Sequence, residues 1–252
     1  MNIIVNADDL GASQDVNDAI FAMMKSGRVT SATIMANGLA VASALHDARH
    51  FPACSFGIHL NLTQFAPLSD GVRLAPILRD GEMARGAIQK APRRPALVMG
   101  AHQEWSAQVA RVLASGVPVS HFDSHHHVHT LPFLLPALKA LMARFGIWRV
   151  RLSKNLYSRE LPATRAKLAQ KAALNAALRY LLPRARTTSA FTEFQSFYDL
   201  VRGGAKLEQS SIELMAHPGA GSDLYRRETE LIAAHAVDEL QPGAQLVSYH
   251  SI

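Results

Sequence analysis

Short runs of β-branched and apolar residues alternate with helix-periodic stretches along most of the chain, and that alternation narrows the fold more than any other feature. Asn2 to Ala7 reads as a buried strand that ends in Asp8-Asp9-Leu10-Gly11, where glycine allows a tight turn before a helical pattern from Asp15 to Ser26. Val29 to Met35 is a second strand closed by Asn37-Gly38, Ala40 to Arg49 a helix, and Ser55 to Leu62 a third strand. Four prolines, Pro67, Pro76, Pro92 and Pro95, interrupt Gln64 to Gly100, which reads as a long excursion of the kind that covers sites. A helix from Gln103 to Ala114 places Trp105, Val109 and Val112 on one face, and Leu134 to Phe145 is a helix stopped by Gly146. Trp148 to Leu152, Glu213 to Gly219 and Gln245 to His250 follow as strands or strand ends, with a helix from Glu228 to Glu239. About six or seven such units imply an α/β protein with a parallel sheet, and 252 residues suit one TIM-barrel-like (β/α) barrel domain spanning 1–252.

Ligands of parallel α/β folds bind where the strands end, and the strand ends here carry the reactive side chains. Asp8 and Asp9 close the first strand; taken alone they read as a turn with an Asp cap. His59 sits inside the apolar third strand, where a single histidine is more often a hydrogen-bonded core residue than a ligand. Ser120 to His129 holds five of the twelve histidines together with Asp123. In an extended strand Asp123, His125, His127 and His129 would share one side, with His126 and Val128 on the other. A polar loop with surface histidines is the plainer account of that tract. Together, imidazoles and carboxylates at strand ends point to a divalent metal, with Asp8 and Asp9 dividing the tasks of ligand and proton acceptor.

Composition removes other classes. No run of about 18 apolar residues is long enough to span a membrane, and Met1 leads into Ile3-Ile4-Val5 with no secretory signal, so a cytoplasmic protein is expected. Cys54 is the single cysteine, so no internal disulfide forms. A net charge of +6 favours an anionic partner, but no aromatic-basic motif points to nucleic acid. There is no glycine-rich phosphate loop and no Gly-x-Ser-x-Gly elbow. Nothing fixes the oligomeric state.

Four segments in order, Asn6-Ala7-Asp8-Asp9-Leu10-Gly11, Val29-Thr30-Ser31, Gly57 to Thr63 and His121 to His129, resemble the YdjC family of carbohydrate deacetylases. The resemblance implies an irregular (β/α) barrel that hydrolyses the N-acetyl group of an amino sugar. It implies one divalent metal held by Asp9, His59 and His125, with Asp8 as the base and His217, in Met215-Ala216-His217-Pro218-Gly219, as the general acid. Asp123, His127 and His129 would support the ligands or contact substrate, and His126 would be a core or loop residue. Two nitrogens and one oxygen suit zinc better than magnesium, which prefers oxygen donors, yet the resemblance leaves both standing.

From about 154 to 186 the chain departs from that pattern with a basic amphipathic insertion. Eight Lys and Arg residues accompany Glu160 alone, and Leu168, Leu174, Leu178, Leu181 and Leu182 form an apolar stripe. An ordinary helix packed on the barrel explains this equally well. The sequence also resembles the hopanoid-biosynthesis branch of the family. A lipid-linked N-acetylglucosamine would then be the substrate, and residues 164–182 a peripheral membrane contact at the inner face. A soluble chito-oligosaccharide is the alternative substrate. A metal-dependent phosphoesterase or a non-enzymatic metal-binding protein are the alternatives of another class.

Overall fold

A computed structural model describes residues 1–159 and 162–252. Its centre is a curled parallel sheet in the order β6-β3-β2-β1-β8-β7, with β9 pairing β1 off that path. The strands are β1 (Asn2–Leu10), β2 (Ser31–Ile34), β3 (Ser55–Leu60), β6 (Val119–Ser124), β7 (Ala190–Glu193), β8 (Ser211–Ala216) and β9 (Gln245–Leu246). A hairpin of β4 (Leu78–Arg79) and β5 (Glu82–Met83) stands apart from it. The long helices are α1 (Gln14–Lys25), α4 (Pro95–Ala114), α5 (Leu135–Phe145), α6 (Arg165–Leu181), α7 (Phe194–Arg202) and α8 (Asp223–Ala234). Shorter ones are α2 (Val41–Asp47), α3 (Ala87–Lys90) and α9 (Val237–Leu240). Parallel strands covered by helices are buried on both faces, which explains why β1 and β3 read as nearly continuous apolar runs. The fold is the expected TIM-barrel-like α/β architecture, opened into a half-barrel.

Between β6 and β7 the wall is closed by an extended segment without a full ladder. The Phe122 amide donates to the Arg149 carbonyl at 2.9 Å and the Arg151 amide to the Phe122 carbonyl at 3.0 Å, while the Asn155 amide reaches the Phe191 carbonyl at 3.2 Å. The strand expected over Trp148–Leu152 is therefore reduced to isolated bridges, Phe122 with Val150 and Arg149 with Arg186. Asn175 of α6 holds the same segment from outside, accepting from the Ser153 amide at 2.8 Å and donating to its carbonyl at 3.0 Å.

Other expected boundaries move for local reasons. The second strand shortens to Ser31–Ile34 and the last to Gln245–Leu246, followed by a 3₁₀ turn at Tyr249–Ser251. Helix α4 starts eight residues before Gln103, at Pro95, whose fixed φ and missing N–H suit a first helical turn. Ser13 and Ser222 cap α1 and α8 through their hydroxyls, and Gly146 ends α5 in the left-handed conformation. The expectation missed β7 and α7 altogether.

The apolar stripe of the basic segment does not form one exposed face. Leu178 and Leu182 are 2% and 1% exposed, Leu174 is half-buried, and Leu168 and Leu181 are each 43% exposed. Glu160, the one acid of that segment, lies outside the described residues. Helix α6 thus uses Asn175 and Leu178 to seat itself on the barrel. Leu178→Ala is expected to lower stability by about 2–5 kcal/mol in urea unfolding, whereas Leu168→Ala should stay within about 0.5 kcal/mol.

Candidate functional site

At the carboxyl end of the sheet, β1 breaks register with β2 between Ala7 and Leu10, and Asp9 sits in the bulge with φ of 68°. A bulge re-aims one side chain, and a non-glycine residue in the left-handed region costs on the order of 1–3 kcal/mol that the surrounding contacts must offset. Asp9 Oδ1 lies 3.2 Å from His59 Nε2 and 2.9 Å from His125 Nδ1. That buried oxygen has no hydrogen-bond partner among the described residues. Ligand atoms on one metal with bonds of roughly 2.1 Å stand roughly 3.0–3.4 Å apart, so one carboxylate oxygen and two imidazole nitrogens here fit a single divalent cation. Burial opposes charge on Asp9, but His125 and His59 outweigh it and hold the carboxyl well below its ordinary range. Burial likewise opposes protonation of His59, and the Asp123, Asp9 and Asp8 carboxylates reverse it, raising its pKa.

His59 turns its other nitrogen inward. Nδ1 is 2.8 Å from Asp123 Oδ1, and the Thr33 hydroxyl donates to Asp123 Oδ2 at 3.0 Å. A carboxylate behind a ligating imidazole would fix its tautomer and free Nε2 for a metal; Asp123 is placed to do this for His59 without lining the cleft. Below this layer Arg151 is fully buried among three carboxylates. Its Nη1 and Nη2 each donate to Asp8 at 2.6 Å, Nη1 also lies 2.7 Å from Asp123 Oδ2, and Nε donates to Glu213 Oε1 at 2.7 Å. Tyr249 donates its hydroxyl to Glu213 Oε2 at 2.5 Å, and Asn6 donates to Asp8 Oδ1 at 2.9 Å. Burial would raise the Asp8 pKa, yet Arg151 holds the carboxyl well below the usual carboxylate range. Burial pushes Glu213 up to about 7 in spite of the same guanidinium. Asp8, His59 and Asp123 also stand close enough to ligate a metal, but Arg151 already occupies both acids and would repel a cation there. The outer trio of Asp9, His59 and His125 therefore fits better.

The histidine tract is not the strand expected. β6 ends at Ser124, and the chain turns through a 3₁₀ segment in which His126 and His127 have φ of 53° and 54°. That reversal breaks the alternation and brings His125, His126 and His127 to one cleft. His126 lies in this turn, as expected of a loop residue, shares a hydrogen bond with the Thr63 hydroxyl at 2.9 Å, and lines the cleft. His127 lies edge-on to Phe191, and its buried Nδ1 has no hydrogen-bond partner among the described residues. His129 does not reach the cleft. It lies 2.5 Å from the Ser124 hydroxyl and 3.0 Å from the Arg151 carbonyl, pinning the turn to the wall instead.

The cleft has a volume of about 700 Å³ and opens beside Asp8, Asp9, His217, Tyr225, Glu193 and Arg85. Arg85 follows the β4–β5 hairpin, so the proline-rich excursion does border the site. The backbone amide of His217 donates to Glu228 Oε2 at 2.8 Å, its Nδ1 lies 3.6 Å from the same oxygen, and its ring stacks on Tyr225. Burial lowers the imidazole pKa, but Glu228, Asp8 and Asp9 outweigh it and leave it raised.

Residues 2–241 match the family described as YdjC-like protein. The chain belongs to the YdjC-like family. Among its relatives, a carbohydrate deacetylase of Brevibacillus brevis is 39% identical over 149 residues, 58% of this chain and 58% of that protein. A chitooligosaccharide deacetylase of Salmonella paratyphi B is 29% identical over 89% of this chain and 84% of its own length. The YdjC-like chain thus spans less than two thirds of the length of the more identical relatives it matches. A solved structure from Enterococcus faecalis, provisionally assigned as a cellobiose-phosphate cleavage protein, superposes with a TM-score of 0.77 at 23% identity, covering 99% and 98% of the two chains, which shows a shared fold.

Sequence reasoning about the YdjC-like chain missed Arg151, Glu213, Tyr249 and Thr33. A signal for the first two was present: a charged residue inside the apolar runs Trp148–Leu152 and Ile212–Ala216 must be paired when buried.

Proposed function

We propose that this YdjC-like chain removes the N-acetyl group of an amino sugar, with Asp9, His59 and His125 holding one divalent cation. The observation that carries the reading is the convergence of the buried Asp9 Oδ1 with two imidazole nitrogens, at 3.2 Å and 2.9 Å, at the rim of a cleft that also holds Asp8 and His217. Its relatives named as carbohydrate and chitooligosaccharide deacetylases support the same chemistry. A divalent ion bound there would polarise the amide carbonyl and make water more acidic.

The protein's own groups then divide the proton transfers. Asp8 accepts the water proton at a carboxylate oxygen. Arg151 fixes its orientation and keeps it ionised, at the cost of basicity. His217, its imidazolium favoured by the Glu228, Asp8 and Asp9 carboxylates against burial, gives a proton to the departing amine, with Glu228 3.6 Å from its Nδ1 on the side away from the amine. His126 and His127 line the same wall and are proposed substrate contacts.

Leu178 and Leu182 are buried, so a lipid-facing stripe on α6 lacks support and a soluble chito-oligosaccharide is the better-supported substrate. Among the described residues no helix is long and apolar enough to cross a membrane. The two candidate ligand groups share His59, and Arg151 fills the inner one, which disfavours a two-metal phosphoesterase. Acetate release from chito-oligosaccharides by metal-restored protein, beside phosphate release from p-nitrophenyl phosphate, tests the assignment. Phosphate release without acetate release would overturn it.

A pH profile tests His217. An acid with a raised pKa is protonated below that pKa and lost as pH rises through it, so kcat/KM should fall on the alkaline side. Glu228→Gln removes a carboxylate that favours the imidazolium and should move that limb to lower pH by about one unit. An unmoved limb would remove His217 from the acid role.

A further inference from the structure

We propose that a second cavity, at the opposite end of the sheet from the cleft, is a binding site for a phosphate-class anion, built from Arg149, Arg184 and Arg186 around Trp148. The cavity measures about 430 Å³ and is floored by Val119 and Ser120 at the start of β6. The candidate metal ligand His125 follows the far end of that strand, so roughly 16 Å of β-strand rise, at about 3.3 Å per residue, separates the two sites.

Three features of the cavity call for an anion. Arg149 and Arg186 are bridge partners in adjacent parallel segments, with the Arg186 amide donating to the Trp148 carbonyl at 2.8 Å and the Val150 amide to the Arg186 carbonyl at 3.0 Å. Like charges set opposite each other across a bridge destabilise the pairing unless a counter-charge lies between them. No carboxylate side chain supplies one, since none of the three arginines joins an ion pair among the described residues. Arg149 does donate from Nε to the Ile252 backbone oxygen at 2.7 Å and from Nη2 to the His250 carbonyl at 3.5 Å, which orients the guanidinium. Arg184 is stacked over the Trp148 ring at 5.3 Å, which holds a second guanidinium at the rim. Burial and the neighbouring Arg186 charge lower the Arg149 pKa.

The planar guanidinium fork matches two oxygens of an oxyanion, and three such groups suit a dianion better than a single carboxylate. Free phosphate and a phospholipid headgroup carry the same chemistry. Arg149 is spaced two residues from Arg151 on one extended segment, so the anion site and the support of Asp8 share a stretch of backbone.

Isothermal titration with inorganic phosphate at low ionic strength tests the proposal on wild-type protein and on the Arg184→Gln/Arg186→Gln pair. That pair spares Arg149 and its contacts to the chain end. Binding weakened at least tenfold in the variant is expected, with acetate release and metal content unchanged. Co-sedimentation with phosphatidylglycerol vesicles is the second arm. If vesicles, and not free phosphate, bind in an Arg184- and Arg186-dependent manner, the source is a headgroup and the site stands. Equal phosphate binding by both proteins, or no Arg-dependent binding of either probe, overturns it.

Discussion

Arg151→Met is expected to cost about 3–5 kcal/mol of folding stability, because it strands buried carboxylates that share one guanidinium. Asp8, Asp123 and Glu213 are all 0–1% exposed, and each makes its ion pair to Arg151 at 2.6–2.7 Å. Methionine fills the volume and offers no donor. Arg151→Lys keeps the charge, yet one ammonium cannot present the two-pronged face to Asp8 while its stem reaches Glu213. It should fold better than the methionine variant and still lose most turnover through a misplaced Asp8. The deficit of Arg151→Met should shrink in mild acid. Burial already raises Glu213 to about 7, so it protonates first as pH falls and the unpaired charge is relieved. Urea midpoints across pH check this. A methionine variant as stable as the wild type would mean that the carboxylates are neutral or solvated in solution.

The second large effect separates two adjacent acids. Asp8→Asn should keep the metal and lose turnover by on the order of a hundredfold or more, since the amide cannot accept the proton. Asp9→Asn should lose the metal itself, because its Oδ1 is the atom within reach of both imidazoles. Metal analysis of the two purified variants beside their acetate release decides. Equal metal loss in both would place Asp8 in the coordination sphere and overturn the division of roles.

How far these residues were legible depended on what set their position. Asp8, Asp9, His59 and His217 were readable because parallel strands present residues at their carboxyl ends, and a strand ending in an acid or a histidine is visible in the sequence itself. The tract from His125 to His129 was expected to be a strand presenting alternate side chains; the structure instead turns His125, His126 and His127 to the cleft and His129 into the wall. Its side chains are aimed by left-handed φ values at His126 and His127, non-glycine residues that give no warning of that conformation. Extrapolating the period of two past Ser124 therefore counted His129 in and left His126 out. Arg151 was invisible as a site residue because its partners Asp8, Asp123 and Glu213 lie 143, 28 and 62 positions away, contacts that only the closing of the half-barrel creates. The leucines of α6 showed the opposite failing. Their spacing gave an apolar stripe, but the depth of Leu178 against the exposure of Leu168 follows from how α6 lies across Ser153, which periodicity does not encode.

Metal titration of the stripped protein, with acetate release followed at each step, shows whether Asp9, His59 and His125 hold a catalytic metal. One equivalent of a divalent metal per chain should restore deacetylation of a chito-oligosaccharide, and Asp9→Asn and His125→Gln should bind far more weakly and stay inactive at the same metal concentration. Full turnover by the metal-free wild type, or wild-type metal affinity in both variants, would contradict that assignment.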